Sequence, residues 1–192
     1  MRVSRRKAAE NRERIIDTAG ALFRQKGFDG IGVADIMKAA DLTHGGFYGH
    51  FASKDDLVAQ ASRRAMARAA VNWSKVVADA PTEPYAALLA HYLSPRHRDN
   101  PGRGCAFAAL SGDAARCGKS VRAAFANGLE PLIDIVAKAV PGRSKTARRR
   151  KAVAAVAELV GALILARAVD DRSLSDEILE AARHELLAAV GG

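Results

Sequence analysis

Ala-Asp-Leu-Thr-His-Gly-Gly-Phe-Tyr-Gly-His-Phe-Ala-Ser-Lys-Asp-Asp-Leu, residues 40–57, decides how this chain is read. The stretch predicts a tight turn, a very short helix over His44–Gly49, and the capped start of a long helix. Thr43 is placed to cap the short helix, and Ser53-Lys54-Asp55-Asp56 resembles a capping box. Just upstream, Val33, Ile36, Met37 and Ala40 mark a second short amphipathic helix, with Gly32 before it and Asp35 in its first turn. Two short helices across a tight turn are a helix-turn-helix, a unit whose second helix enters the major groove of DNA.

Working outward, Ile15, Ile16, Ala19, Leu22 and Phe23 form a helical stripe over Arg12–Lys26. Gly27 is suited to end that helix, with Phe28 folding back an apolar contact. The helix that begins at Lys54 is expected to reach Val77, where Ala80-Pro81-Thr82-Glu83-Pro84 stops it. Further helices are expected over Tyr85–Leu93, Gly104–Arg116, Ser120–Val140, Lys145–Val169 and Asp176–Val190, with Ser94–Arg103 as a loop. Gly128 and Pro131 predict a kink or break near Glu130. No strand pattern or repeat is visible. The chain therefore reads as all-α with about nine helices. A three-helix DNA-binding domain spans 1–53, and a larger helical domain spans 54–192.

Charge supports this only locally. The net charge of +9 is spread unevenly: residues 1–14 carry +4, residues 1–57 only +2, and the rest lies downstream. Nucleic-acid affinity must therefore come from the motif and the arm Arg2, Arg5, Arg6 and Lys7, expected to be disordered without DNA. The run Arg148-Arg149-Arg150-Lys151 reads as a solvated face rather than a second nucleic-acid site. No targeting or membrane-spanning segment is visible, so a cytoplasmic protein without a membrane partner is expected.

Residues 12–57 resemble the DNA-binding domain of the TetR/AcrR family of bacterial transcriptional regulators. Ile15–Gly27, Phe28-Asp29-Gly30, Asp35-Ile36 and the stretch from Thr43 to Leu57 carry the resemblance. It implies that Thr43, His44, Gly46, Tyr48, His50 and Lys54 occupy DNA-contact positions, while Gly45 and Gly46 let the backbone approach closely. His44 stands where the family often has Lys, Gly46 where Thr is common, and Gly49 where an aromatic is common. Few side chains remain for direct base readout, so recognition leans on phosphate contacts and DNA shape. Phe47 and Phe51 read as core, and Thr43 as a cap, a phosphate contact or both.

For the body, the resemblance implies a homodimer through the last two helices and a pocket for an unidentified small-molecule effector. Trp73, Tyr85, Tyr92, Cys105, Phe107, Phe125, Leu129 and Leu163 are candidates to surround that pocket. The leading expectation is a repressor of double-stranded operator DNA, released by its ligand. Cys105, at the start of a short helix, has two open readings: a buried core cysteine, or a thiol sensing electrophiles or oxidants as in some regulators of that family. Cys105 and Cys117 would diverge by about 120° on one helix, a poor disulfide geometry. His91 and His97 lack metal-ligand neighbours, and no cofactor is called for. Catalytic constellations are absent from the sequence, so a helical enzyme is disfavoured, as is a non-specific DNA-packaging protein.

Overall fold

The computed structural model describes residues 5–191. Among them are nine α-helices and two short 3-10 helices, with no strand. The head comprises α1 (Arg5–Lys26), α2 (Val33–Ala39) and a 3-10 helix (His44–Gly49). The long helix α3 (Lys54–Ala78) carries the chain into the body. There follow α4 (Pro84–Tyr92), α5 (Pro95–Arg98), a 3-10 turn (Pro101–Arg103), α6 (Ala106–Arg116), α7 (Lys119–Ala139), α8 (Lys145–Ala168) and α9 (Arg172–Gly191).

Local chemistry accounts for most of the boundaries. At the start of α3, the Ser53 hydroxyl accepts from the Asp56 N–H at 3.1 Å, while the Asp56 carboxylate reaches back to the Ala52 N–H at 3.2 Å. This is a capping box with its return bond shifted by one residue. Gly27 ends α1 with φ of +77°, a conformation that favours glycine. Phe28 then returns edge-on against Phe23, with ring centroids 5.5 Å apart. Asp41, with φ of 52°, forms the turn after α2, and the Leu42 N–H closes onto the Met37 carbonyl at 2.9 Å.

Several boundaries depart from the sequence-based expectation. The arm residues Arg5, Arg6 and Lys7 are the first turn of α1, where Arg6 and Lys7 pair with Glu10 at 3.6 and 3.7 Å. Arg2 lies outside the described residues. The segment 94–103 is not all loop, because Ser94 caps α5 and Pro95 and Pro101 each sit in a first helical turn. Helix α9 begins four residues before Asp176 because the Asp171 carboxylate accepts from the N–H groups of Ser173 and Leu174. Helix α7 runs unbroken through Pro131. Its buried face (Val121, Ala124, Phe125, Leu132, Ile133, Val136), packed against α3 and α8, outweighs the cost of about 3 kcal/mol for an interior proline.

One apolar core runs the length of the molecule, from Ile15, Phe23, Ile36 and Phe47 through Leu57, Met66 and Trp73 to Leu159 and Leu163. Helix α3 packs on α1 toward the head and on α7 in the body. The run Arg148–Lys151 is tied down as well as solvated. Arg149 pairs with Glu130 at 2.9 Å, Arg148 donates to the Gly142 carbonyl, and Lys151 donates to the Ala189 carbonyl.

Gly128 is where α7 meets α3 most closely: a Cβ there would lie 2.9 Å from the Cβ of Met66 and nearer still to its sulfur. Helix propensity alone would make Gly128→Ala stabilising by about 1 kcal/mol. Close approach reverses the sign, and a loss of about 1–3 kcal/mol is expected in urea denaturation. A gain in stability would show that the two helices have slack at this point.

Candidate nucleic-acid interface and the adjoining cleft

The expected recognition helix is wound as 3-10 over its six residues, His44–Gly49. Three of the six are glycine, whose helix propensity is poor, and a piece this short gains little from α geometry. Phe47 anchors it with no exposed surface, stacked near Phe51 with centroids 5.5 Å apart. Arg12 lies over the other side of this cluster, 5.3 Å from the Phe51 ring, and also bonds Gln60.

With Phe47 pointing in, the remaining positions point out. Thr43, His44, Gly45, Gly46 and Tyr48 are exposed, and Tyr48 is 70 % exposed although its ring meets Phe47 edge-on. Thr43 occupies the capping position, but its hydroxyl makes no capping bond. That leaves the hydroxyl available to an outside acceptor. His50 and Lys54 are half-buried at the far end of the same segment. A Cβ on Gly45 or Gly49 would meet no atom within 4 Å, so the protein's own packing does not require glycine at either place. A 3-10 helix of two turns carries only a small N-terminal dipole.

Behind the head, a cavity of about 850 Å³ opens between α1, α3, the end of α4 and the segment 94–105. Trp73, Tyr92 and Cys105 from the candidate set line it, with Ile16, Ala61, Ala65 and Ala69 beside them. Tyr85, Phe107, Phe125 and Leu163 are buried elsewhere in the core, and Leu129 packs against that core half-buried. Tyr85 is pushed up to about 12 by burial, helped by Glu158. Trp73 meets the Tyr92 ring edge-on at 5.4 Å, and Tyr92 meets His97 at 4.6 Å.

The polar part of the wall was not foreseen from sequence. Arg24, Arg64, Arg68, Arg96 and Arg103 line the cavity, together with Asp17, His91 and His97. A usable signal existed: Arg64 and Arg68 flank Ala61, Ala65 and Ala69 at helical spacing, a small-residue stripe edged with cations. Asp17 binds Arg64 at 3.1 Å and Arg68 at 2.8 Å, and Glu13 also pairs with Arg64. Burial works to raise the Asp17 carboxyl, but bonds and charge from Arg68 and Arg64 win and hold it below its ordinary value. On the other side, Arg24 of α1 donates to the Gly102 carbonyl at 3.0 Å. Next to the cavity, the Phe28 N–H donates to Asp113 of α6 at 3.0 Å.

Cys105 is buried and stands at the N-cap of α6, and both cysteines are free thiols. Its backbone N–H donates to His97 Nε2 at 3.0 Å, so the proton of this imidazole sits on Nδ1, which donates to the Tyr92 carbonyl at 2.8 Å. Cys117 is half-buried, and burial, with nearby carboxylates, raises its thiol.

A buried-anchor helix-turn-helix on an all-helical body is the architecture of helix-turn-helix DNA-binding regulators. Residues 15–61 match the family model for bacterial regulatory proteins of the tetR family. Over 59 residues the chain is 39 % identical to the HTH-type transcriptional regulator AcrR of Shigella flexneri, a match covering 31 % of this chain and 27 % of that protein. Along nearly its whole length, the fold is similar to that of E. coli NemR in its reduced form. The TM-score there is 0.77 at 23 % identity, covering 92 % of this chain and 95 % of the other. A TetR transcriptional regulator from Chloroflexus aurantiacus gives a TM-score of 0.78 at 23 % identity, covering 97 % and 96 %. By sequence, residues 15–61 are a DNA-binding domain of the tetR family, and the chain as a whole shares the fold of solved TetR regulators. That family and fold are those of regulators rather than enzymes. Among the described residues, no helix is long and apolar enough to cross a membrane.

His97 gives this region a measurable pH dependence. Burial, with help from Arg167, lowers it from 6.5 to about 4, against the opposing pull of its bond to Tyr92. In the unfolded chain it takes its proton near 6.5, so below that value the unfolded state binds more protons. Stability is therefore retained above pH 6.5 and lost as pH falls toward 4, by roughly 3 kcal/mol in all. Urea denaturation across this range should show the slope in the parent protein and a flatter one in His97→Gln.

Proposed function

We propose that the chain is a homodimeric repressor that binds a palindromic operator in the cytoplasm and releases it when a small molecule occupies the body. Residues 1–53 read DNA, and residues 54–192 dimerise and bind the effector. The observation that carries this reading is the outward face of the His44–Gly49 helix. Thr43, His44 and Tyr48 are exposed there on a segment whose glycines leave room for the DNA backbone, with His50 and Lys54 at its edge.

Dimerisation is supported by surface chemistry. Among the described residues, the exposed large apolar side chains apart from Tyr48 and Val71 are Val153, Ile164, Leu165, Leu174 and Leu187, all on α8 and α9. A two-fold pairing of those helices would form a four-helix interface and hold two recognition segments about 34 Å apart, one turn of DNA. Release then needs only a ligand with higher affinity for a dimer whose heads are wrongly spaced.

Fluorescence anisotropy on DNA from this gene's own upstream region, against random competitor and across a salt series, tests the class. Specific, competitor-resistant binding is expected. Tyr48→Ala should weaken it about tenfold, and Lys54→Ala should weaken it on all sequences while reducing the salt slope by about one. Equal affinity for upstream and random DNA would instead indicate a packaging protein.

A second reading is favoured by one observation: Cys105 lies on the cavity wall, within reach of whatever enters it. In that version an electrophile such as N-ethylmaleimide takes the place of a reversible ligand. The Cys105 sulfur adds to the electron-poor alkene carbon, and the thiol proton ends on the adjacent carbon. Cys105→Ser should then bind DNA normally and resist release by maleimide; full release from the mutant would refute it.

A further inference from the structure

Charge is the property of the cleft that ligand-controlled release does not by itself require. Five arginines line it, against one lining carboxylate, Asp17; Glu13 pairs with Arg64 from outside the wall. Asp17 is shared between Arg64 and Arg68. Among the described residues no carboxylate pairs with Arg24, Arg96 or Arg103. Arg24 is half-buried and satisfied only by a carbonyl, and burial together with the charge of Arg68 lowers its affinity for its proton. Guanidinium groups gathered in a partly enclosed space repel one another, and a bound anion relieves that cost.

We infer that this cleft binds a small organic anion, a carboxylate or phosphate on a flat apolar body, with the acid group among the arginines and the body against Trp73. As the identity of an effector, the inference rests on the regulatory reading above. Its ligand chemistry rests on the cleft alone. About 850 Å³ suits a molecule of drug size. Arginine forks match planar carboxylates and phosphates in two parallel bonds. The apolar side is supplied by Trp73, Ile16 and the alanines of α3. The hydroxyl of Tyr92, a fully buried residue of the wall, lies beside the Cys105 thiol and has no oxygen or nitrogen partner. A ligand acceptor reaching it would satisfy it.

The position of Asp17 turns binding into a signal. Asp17 belongs to α1 of the head, and Arg64 and Arg68 belong to α3. An entering anion competes with Asp17 for Arg68, weakening one of the polar ties that hold α1 on α3. The same cleft contains Arg24, whose bond to Gly102 ties α1 to the 3-10 turn Pro101–Arg103 on the opposite wall. Anion binding and head position are therefore linked through the same guanidinium groups.

Trp73 is the chain's single tryptophan, so its emission reports the cleft directly. The full-length protein is titrated with benzoate and phenyl phosphate, and in parallel with neutral benzamide and cationic benzamidine. The two anions should change Trp73 emission saturably in the millimolar range or below, and benzamide and benzamidine should not. Arg96→Ala, an exposed side chain outside the core, should weaken anion binding about tenfold. Asp17→Asn removes the internal competitor and should tighten binding several-fold, which a merely structural role for Asp17 would not do. Equal responses to benzamide or benzamidine, no saturable response to either anion, or unchanged affinity in Arg96→Ala would each overturn the inference. So would displacement of bound benzoate by random duplex DNA, which would assign these arginines to the DNA backbone. Anisotropy of the DNA complex in the same titration separates the two readings. Anion binding without DNA release upholds the cleft and refutes ligand-driven release. Specific DNA binding without anion binding refutes the cleft assignment and leaves the regulator standing.

Discussion

The burial of α3 on two sides is the constraint on which the rest of the molecule depends. At its N-terminal end, Leu57, Val58 and Ala61 close the core of the head; further along, Met66 and Trp73 belong to the core of the body. A single helix, capped at Ser53 and continuous to Ala78, therefore cannot move in one half without disturbing packing in the other. Interiors packed at crystal-like density respond to such displacement by switching between arrangements rather than by stretching. On the proposed function, no separate hinge is needed to connect the body with DNA binding.

The head was largely legible in the sequence because its signals are local. Apolar spacing from Ile15 to Phe23, the glycine stop at Gly27, the bounds of α2, and the Ser53 cap are each decided by residues a few positions apart. The 3-10 winding of His44–Gly49 was less visible, since it reflects three glycines failing to hold an α-turn against the pull of Phe47 into the core. In the body, helix α9 extended to Arg172 through the Asp171 cap, which from sequence looked like part of a turn. The proline in α7 is accommodated because tertiary packing outweighs a local penalty, and local pattern carries no information about that balance. The cleft was least legible of all: its wall joins residues from 16 to 105, and their meeting is a property of the fold.

The two faces described here differ in how they would recognise their targets. The recognition segment is sparse, with one large exposed side chain, Tyr48, among small or short ones. On the proposed function, such a surface would position itself through backbone phosphates and respond to the width and stiffness of the duplex. The cleft is dense in directional donors and carries an aromatic wall, which is the pattern of selective small-molecule recognition. On the proposed function, generic reading on one side and selective reading on the other would suit a protein whose response is set more by its effector than by how tightly it holds DNA.

The segment 94–105 is anchored from behind as firmly as it faces the cleft. Buried Arg98 bonds Ser175 at 2.8 Å and pairs with Asp99 and Asp176, and Arg167 donates to the carbonyls of His97 and Arg98. Ser175 and Asp176 belong to α9 and Arg167 to α8, the helices whose outer sides carry the exposed apolar residues. The wall of the cleft thus shares its fastenings with the surface that would meet a second subunit. In the proposed symmetric pair joined on that surface, filling one cleft would be coupled to filling the other. Such a pair would respond to concentration as a cooperative unit, with a threshold sharper or blunter than a single site permits.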